Sequence, residues 1–151
     1  MSDRFLALMT ALSFTVPGEA RGKGRPRATT IHGHARLHTD DKTAAYENLV
    51  KMAVSHALGE RDPFDEPVSV HVAVRMVPAA SHSAKKRAAM LSGAIWPTKL
   101  PDLDNVVKAV LDGCNKVAFR DDALVVRLSA EKTYAATPGV DVTIKPQGRD
   151  A

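Results

Sequence analysis

Asp102, Asp104, Lys108 and Asp122 are the residues whose types and spacing best suit chemistry in this sequence. Asp102 and Asp104 follow Pro101 and open a stretch of helical periodicity, so both carboxylates can project from a helix N-terminus. Lys108 lies one helical turn beyond Asp104 on the same face. Asp122 arrives after the helix has run its length and the chain turns back towards a strand. If that turn returns Asp122 to the helix start, three hard oxygen ligands converge. Such a set holds magnesium through a few carboxylates, waters and a phosphate. Magnesium held there polarises a phosphodiester and lowers the pKa of an attacking water. The Lys108 ammonium would offset phosphate charge or position the nucleophile, and Asn105 could bond the loop backbone or an outer water.

Each residue also has a simpler reading. Aspartates at a helix start are ordinary caps worth about 1 kcal/mol. Asp and Lys four residues apart form surface pairs worth a few tenths of a kcal/mol, and Asp121-Asp122 before a strand is an ordinary turn. Spacing alone leaves both readings open. Asp112, two turns past Asp104, is expected to pair with Lys108 or Lys116 and is left outside the site.

Positive charge is concentrated in two places. Arg21, Lys23, Arg25, Arg27 and Arg36 occur with no acid between them, and Lys85, Lys86 and Arg87 form a second group, with Lys99 beside the acids. These suit phosphate neutralisation, which sets salt-sensitive affinity without reading sequence; the alternative is a solvated basic loop. His32, His34 and His38 have a spacing that zinc accepts, but a DNA-facing loop is the preferred reading. Trp96 is read first as a buried packing residue and second as a platform for an unpaired base. Cys114 falls on an apolar helix face and is read as core rather than nucleophile.

The surrounding chain bounds these readings. Its 151 residues suit one domain, placed at residues 1–146, with a polar tail at 147–151. A chain 44% hydrophobic and 25% charged falls in the soluble globular class. The net charge of +4 admits a polyanionic partner without naming one. Aromatics at 5% argue against a single-strand binder with several stacking platforms. One cysteine excludes an internal disulfide and an ordinary Cys-based zinc site, and fits a reducing cytoplasm. Phe5 to Val16 resembles a secretory apolar segment, but Asp3 precedes it and no small-x-small cleavage site follows. No run approaches the roughly 20 apolar residues of a membrane-spanning helix.

Hydrophobic periodicity supplies the elements. Leu12, Phe14 and Val16 alternate as a strand, and Gly18 to Arg36 reads as a turn-rich loop. A helix follows to Leu58, with Ala45, Leu49, Met52, Ala53, His56 and Ala57 on its apolar side. Val68 to Met76 alternates as a second strand, and Ser83 to Leu91 is a short basic helix. The helix from Asp102 to about Val117 presents Leu103, Val106, Val107, Val110, Leu111, Cys114 and Val117 on one face. Two strands follow, at about Leu124–Lys132 and Val140–Lys145. The expected fold is α+β, a two-layer arrangement with a mixed sheet of about four strands and two main helices largely on one face.

Taken together, Pro101-Asp102-Leu103-Asp104-Asn105 with Lys108, and Arg120-Asp121-Asp122 leading into Val125-Val126, resemble the RusA family of Holliday-junction resolvases. Phe14-Thr15-Val16-Pro17-Gly18 followed by Lys23-Gly24-Arg25-Pro26-Arg27 is similar to the start of phage-type members, and Lys132 falls where the family carries a basic residue. The resemblance covers about residues 12 to 146 and leaves residues 1–11 and 81–97 without assigned roles. It implies a magnesium-dependent endodeoxyribonuclease, with manganese as a substitute, that cuts four-way DNA junctions as a homodimer. It also implies Asp102, Asp104 and Asp122 as metal ligands, Lys108 as the catalytic cation, 5′-phosphate and 3′-hydroxyl products, and no organic cofactor. A non-catalytic DNA-binding protein, or a metal nuclease acting on flaps or RNA, are the competing classes.

Overall fold

The computed structural model describes residues 11–23, 27–31, 33–38 and 41–148. Period-two alternation produces its central sheet. In β4 (Val68–Met76) the valines 68, 70, 72 and 74 point into the core; Val140, Val142 and Ile144 do so in β6 (Gly139–Pro146), and Leu12, Phe14 and Val16 in β1 (Leu12–Pro17). These three strands pair antiparallel with β6 in the middle. β5 (Val125–Tyr134) lies outside β4 and runs parallel to it, giving a mixed four-stranded sheet in the order β1-β6-β4-β5. A parallel pair needs a long crossover, and residues 77–124 supply it together with two helices. The expected mixed α+β architecture is the one observed.

Two long helices cover one face of the sheet. α1 (Asp41–Leu58) buries Thr43, Tyr46, Val50, Val54 and Leu58. Of the expected side, Leu49, Ala53 and Ala57 pack against the edge of the core, whereas Ala45, Met52 and His56 are exposed. The reason is area: Tyr46, Val50 and Val54 remove more apolar surface from water than alanines 45, 53 and 57. α3 (Leu103–Cys114) buries Val106, Val107, Ala109, Val110, Gly113 and Cys114. It stops three residues short of Val117, because Lys116 turns left-handed at φ 68 and Ala118 and Phe119 enter the core. The helices meet at Gly113, where an added Cβ would stand 2.6 Å from the Val50 Cβ. The short helix α2 (Ala84–Leu91) starts where the sequence places it, with the Ser83 hydroxyl accepting the Lys86 N–H at 3.2 Å.

The segment read as a loop between Gly18 and Arg36 contains a hairpin. β2 (Arg27–Ile31) and β3 (His34–His38) pair antiparallel, Ile31 facing His34 across a turn at Gly33. The arginines and histidines masked its β pattern, while a two-residue connection ending in glycine is the signal that was present. No described helix is long and apolar enough to cross a membrane.

Candidate active site

The start of α3 is held by its neighbours. Lys132, on the edge strand β5, donates its ammonium to the carbonyl oxygens of Lys99 (2.9 Å) and Pro101 (3.0 Å). Val106 N–H then closes the first helical turn onto Asp102 O at 3.1 Å. Asp102 occupies the N-cap position, yet its carboxylate makes no capping hydrogen bond. The side chains of Asp102, Asp104 and Lys108 have no hydrogen-bond or ion-pair partner among the described residues, so the capping and surface-pair readings do not account for them.

The other end of the site is fixed by the turn after α3. Phe119 is fully buried, and its neighbours bond the chain at Phe64: Phe64 N–H to Ala118 O (2.8 Å) and Arg120 N–H to Phe64 O (3.0 Å). From that anchor the chain enters a single 3-10 turn at Asp122–Leu124. Asp121 and Asp122 divide the work there. The Asp121 carboxylate accepts the Ala123 N–H at 3.0 Å and pairs with Lys116 at 3.5 Å. Asp122 has its own N–H held by Asn115 Oδ1 at 3.0 Å and turns to the cleft.

That cleft has a volume of about 680 Å³. Its apolar floor includes Leu103, Val107 and Leu111 of α3 and Leu128 and Ala130 of β5; Asp104, Lys108, Asp112 and Asp122 supply the charge. On α3 the charged residues recur at intervals of four, one stripe of a 3.6-residue helix. Asp102 is not among them. It lines a separate groove with Gly22, Lys23, Leu100, Pro101 and Asn105. Asp102 is the N-cap residue, with an extended backbone at φ −66 and ψ 135, whereas Asp104 lies within the first helical turn. Among the described residues no three His, Cys, Asp or Glu side chains are grouped closely enough to hold a metal by themselves. Asp104 and Asp122 share the cleft, while the expected three-acid convergence is not the arrangement seen.

The charges in the cleft interact. The Asp122 carboxyl is raised above the usual carboxylate range, first by a hydrogen bond shared with Asp121, then by partial desolvation and the negative charges of Asp121 and Asp112. Asp121 is lowered, chiefly by the Ala123 N–H and then by its share of the same bond and by Lys116. Asp112, which sequence reasoning set aside, belongs to the cleft and pairs with Lys23 rather than Lys108 or Lys116. Its four-residue spacing from Lys108 was the signal that could have included it.

The expected phosphate contacts separate into two groups. Arg21, Lys85, Lys86, Arg87 and Lys99 are exposed. Lys86, Arg87 and Lys99 converge on His82, whose pKa is lowered by partial desolvation and then by their positive charge. Lys23 and Lys132 are instead committed to internal partners. Arg25 and the side chains of Arg27, His34 and His38 lie outside the described residues, as does His32 and with it the zinc reading. Trp96 is 62% exposed and does not pack in the core as expected. Cys114 is fully buried, and burial pushes its thiol up to about 12, which suits a packing residue and not a nucleophile.

Residues 17–145 match the family described as Endodeoxyribonuclease RusA. The chain is also similar to the uncharacterized protein YqaN of Bacillus subtilis (strain 168), 35% identical over 139 residues, which is 91% of this chain and 97% of that protein. The family match, from the end of β1 into β6, takes in α3, the 3-10 turn and both walls of the cleft. The chain therefore belongs to the RusA family of endodeoxyribonucleases.

Proposed function

We propose that this protein is a magnesium-dependent endonuclease that resolves four-way DNA junctions as a homodimer, with its chemistry in the cleft between α3 and β5. The observation carrying this reading is that the unpaired Asp104 and Lys108 of α3 share one open cleft with Asp122. Two carboxylates, with waters and a substrate phosphate, form a sufficient donor set for a small hard dication. The raised Asp122 carboxyl supports the fit, because its neighbours' negative charge is what a dication would relieve. Bound magnesium would supply charge neutralisation on the scissile phosphate and an acidified water.

The chain's own residues do the rest. Asp104 and Asp122 would hold the cation, with Asp102 on the shoulder of the helix as a further acid for the substrate-bound form. Lys108, also unpaired, would contact a non-bridging phosphate oxygen and stabilise charge as it develops. Lys85, Lys86, Arg87, Lys99 and Arg21 would bind the flanking backbone, which positions the substrate without reading its sequence. Paired cuts across a junction need two active sites; each chain carries one such cleft, and a two-fold dimer supplies the second. Products with 5′ phosphate and 3′ hydroxyl ends form when water attacks phosphorus and the bond to the 3′ oxygen breaks, that oxygen leaving and taking up a proton as the 3′ hydroxyl.

The test is cleavage of a mobile four-way junction, a flap and a linear duplex, each with and without magnesium. Junction-selective, magnesium-dependent nicking is expected. Asp104→Asn should retain junction binding and lose cleavage; full cleavage by that variant would refute the site, and preferential cutting of the flap would reassign the substrate.

A further inference from the structure

Trp96 is the only tryptophan of the chain, and it stands 62% exposed. An indole carries one of the largest apolar surfaces of any side chain, and leaving it in water forfeits that burial. The backbone on either side is fixed. Behind it, Gly93 N–H donates to Met90 O at 3.2 Å and Ala94 N–H to Ala89 O at 3.0 Å, closing the turn off α2 over a buried Met90. Ahead of it, Pro97 is buried and the Lys132 ammonium holds the carbonyls of Lys99 and Pro101. An anchored segment therefore presents the indole to solvent.

The surrounding segment is positively charged. From Val77 to Pro101 the chain carries Lys85, Lys86, Arg87 and Lys99 and no acid. None of these four side chains has an ion-pair partner among the described residues. Lys86, Arg87 and Lys99 gather around His82, although Lys99 lies well beyond it in sequence. The segment also leads straight to the cleft: Lys132 belongs to β5, whose Leu128 and Ala130 floor the cleft, and Asp104 follows in the first turn of α3.

Charge decides what can cover the indole. A second copy docked face to face would set cation against cation, whereas a polyanion is matched. An aromatic platform flanked by cations that neutralise a backbone is the combination that recognises unpaired bases. One platform suits one base rather than a single-stranded tract, in keeping with aromatics at 5%. In a continuous duplex the base faces are covered by neighbouring pairs. At a branch point that stack is interrupted.

We infer that Trp96 is a binding residue for branched DNA, stacking on a base left without a neighbour at the branch point. Lys85, Lys86, Arg87 and Lys99 take the phosphates beside it. This inference rests on the proposed junction substrate and adds the contact that separates a branch from continuous duplex.

With a single tryptophan, the indole reports on itself. Its emission is followed as a four-way junction or a linear duplex is added to the full-length protein, without divalent cation so that the DNA stays intact. Saturating junction should quench it, as stacking on a base does, and saturating duplex should leave it as in the free protein. Unchanged emission with junction shown by gel shift to be bound would overturn the inference and leave the nuclease reading standing. So would emission that changes on dilution of the free protein but not with junction, since a second copy would then cover the residue. If no junction binds, the substrate reading falls and the inference with it. Affinity supplies a second readout: Trp96→Ala should weaken junction binding about tenfold and duplex binding less than about twofold, with Trp96→Phe within about threefold of wild type. Equal losses on both DNAs would also overturn the inference. The emission measurement stands even if Trp96→Ala fails to fold.

Discussion

Asn115 Oδ1 accepts the backbone N–H of Asp122 at 3.0 Å, tying the residue that ends α3 to an acid on the opposite wall of the cleft. One side chain therefore couples the helix that carries Asp104 and Lys108 to the turn that carries Asp122. Sequence adjacency makes Asp121 and Asp122 look equivalent. Their hydrogen bonds do not.

Replacing the two acids should accordingly give different phenotypes. Asp122→Asn is expected to lower junction cleavage at least about 100-fold with binding retained, since it removes a carboxylate proposed to hold the cation at the reacting phosphate. Asp121→Asn removes the ion pair to Lys116 but keeps an oxygen able to accept the Ala123 N–H, so a loss of under about tenfold is expected. Single-turnover cleavage and gel-shift affinity, measured side by side, check both. The reverse ranking would exchange the assignments.

Lys132 offers a second separation of roles. Its ammonium holds two carbonyls in the segment leading to Asp102, so Lys132→Met should cost about 1–2 kcal/mol in urea unfolding. It should also lower cleavage more than junction affinity. A residue used only as a phosphate contact would do otherwise: it would weaken binding and reduce the salt dependence by about one unit of slope. Junction affinity measured across a salt series distinguishes the two.

Elements with strong periodicity were legible in the sequence. The alternating valines of β4, the Ser83 cap and the Asp104–Lys108 stripe depend on local spacing, and the structure follows them. What was illegible depends on partners distant in sequence. Lys23 meets Asp112 across 89 residues, so no local pattern could have removed it from the basic run. Asp102 and Asp104 look alike because both stand at one helix end, yet Asp102 is the extended N-cap residue and lines the groove with Lys23 and Pro101, while Asp104 lines the cleft. In α1 the alanines suggested a face that lost to the larger area of Tyr46, Val50 and Val54.

The α1–α3 contact that supports the cleft depends on one missing side chain. Gly113→Ala would place its Cβ 2.6 Å from Val50 Cβ and 3.0 Å from Glu47 O, and neither is the free end of a flexible chain. The helix-propensity gain of up to about 1 kcal/mol offsets part of the overpacking, and a net destabilisation of about 1–2 kcal/mol is expected. Val50→Gly removes both clashing atoms, so the double variant should lose less than the sum of the two single losses, which chemical denaturation of the three variants would show. Additive losses would mean that the helices do not meet at this point.

The sheet carries its own pH-dependent tie, remote from the cleft. Asp141 in β6 accepts from the Thr15 hydroxyl at 2.7 Å and from Arg75 Nε at 2.9 Å, linking β1, β6 and β4. Partial desolvation works to raise its carboxyl, but the Thr15 and Arg75 bonds and the guanidinium charge outweigh it, and the net shift is downward. A carboxyl whose folded value lies below its unfolded value adds stability above the unfolded value, near 3.9, and loses it as pH falls through the folded one. Asp141→Asn should therefore melt lower than wild type at pH 7, by roughly 2 °C because solvent screens much of the pair. The gap should shrink as pH is lowered through 4 and vanish once both proteins carry a neutral side chain there. Melting curves between pH 2.5 and pH 7 measure it; a gap independent of pH would assign the loss to packing rather than to charge.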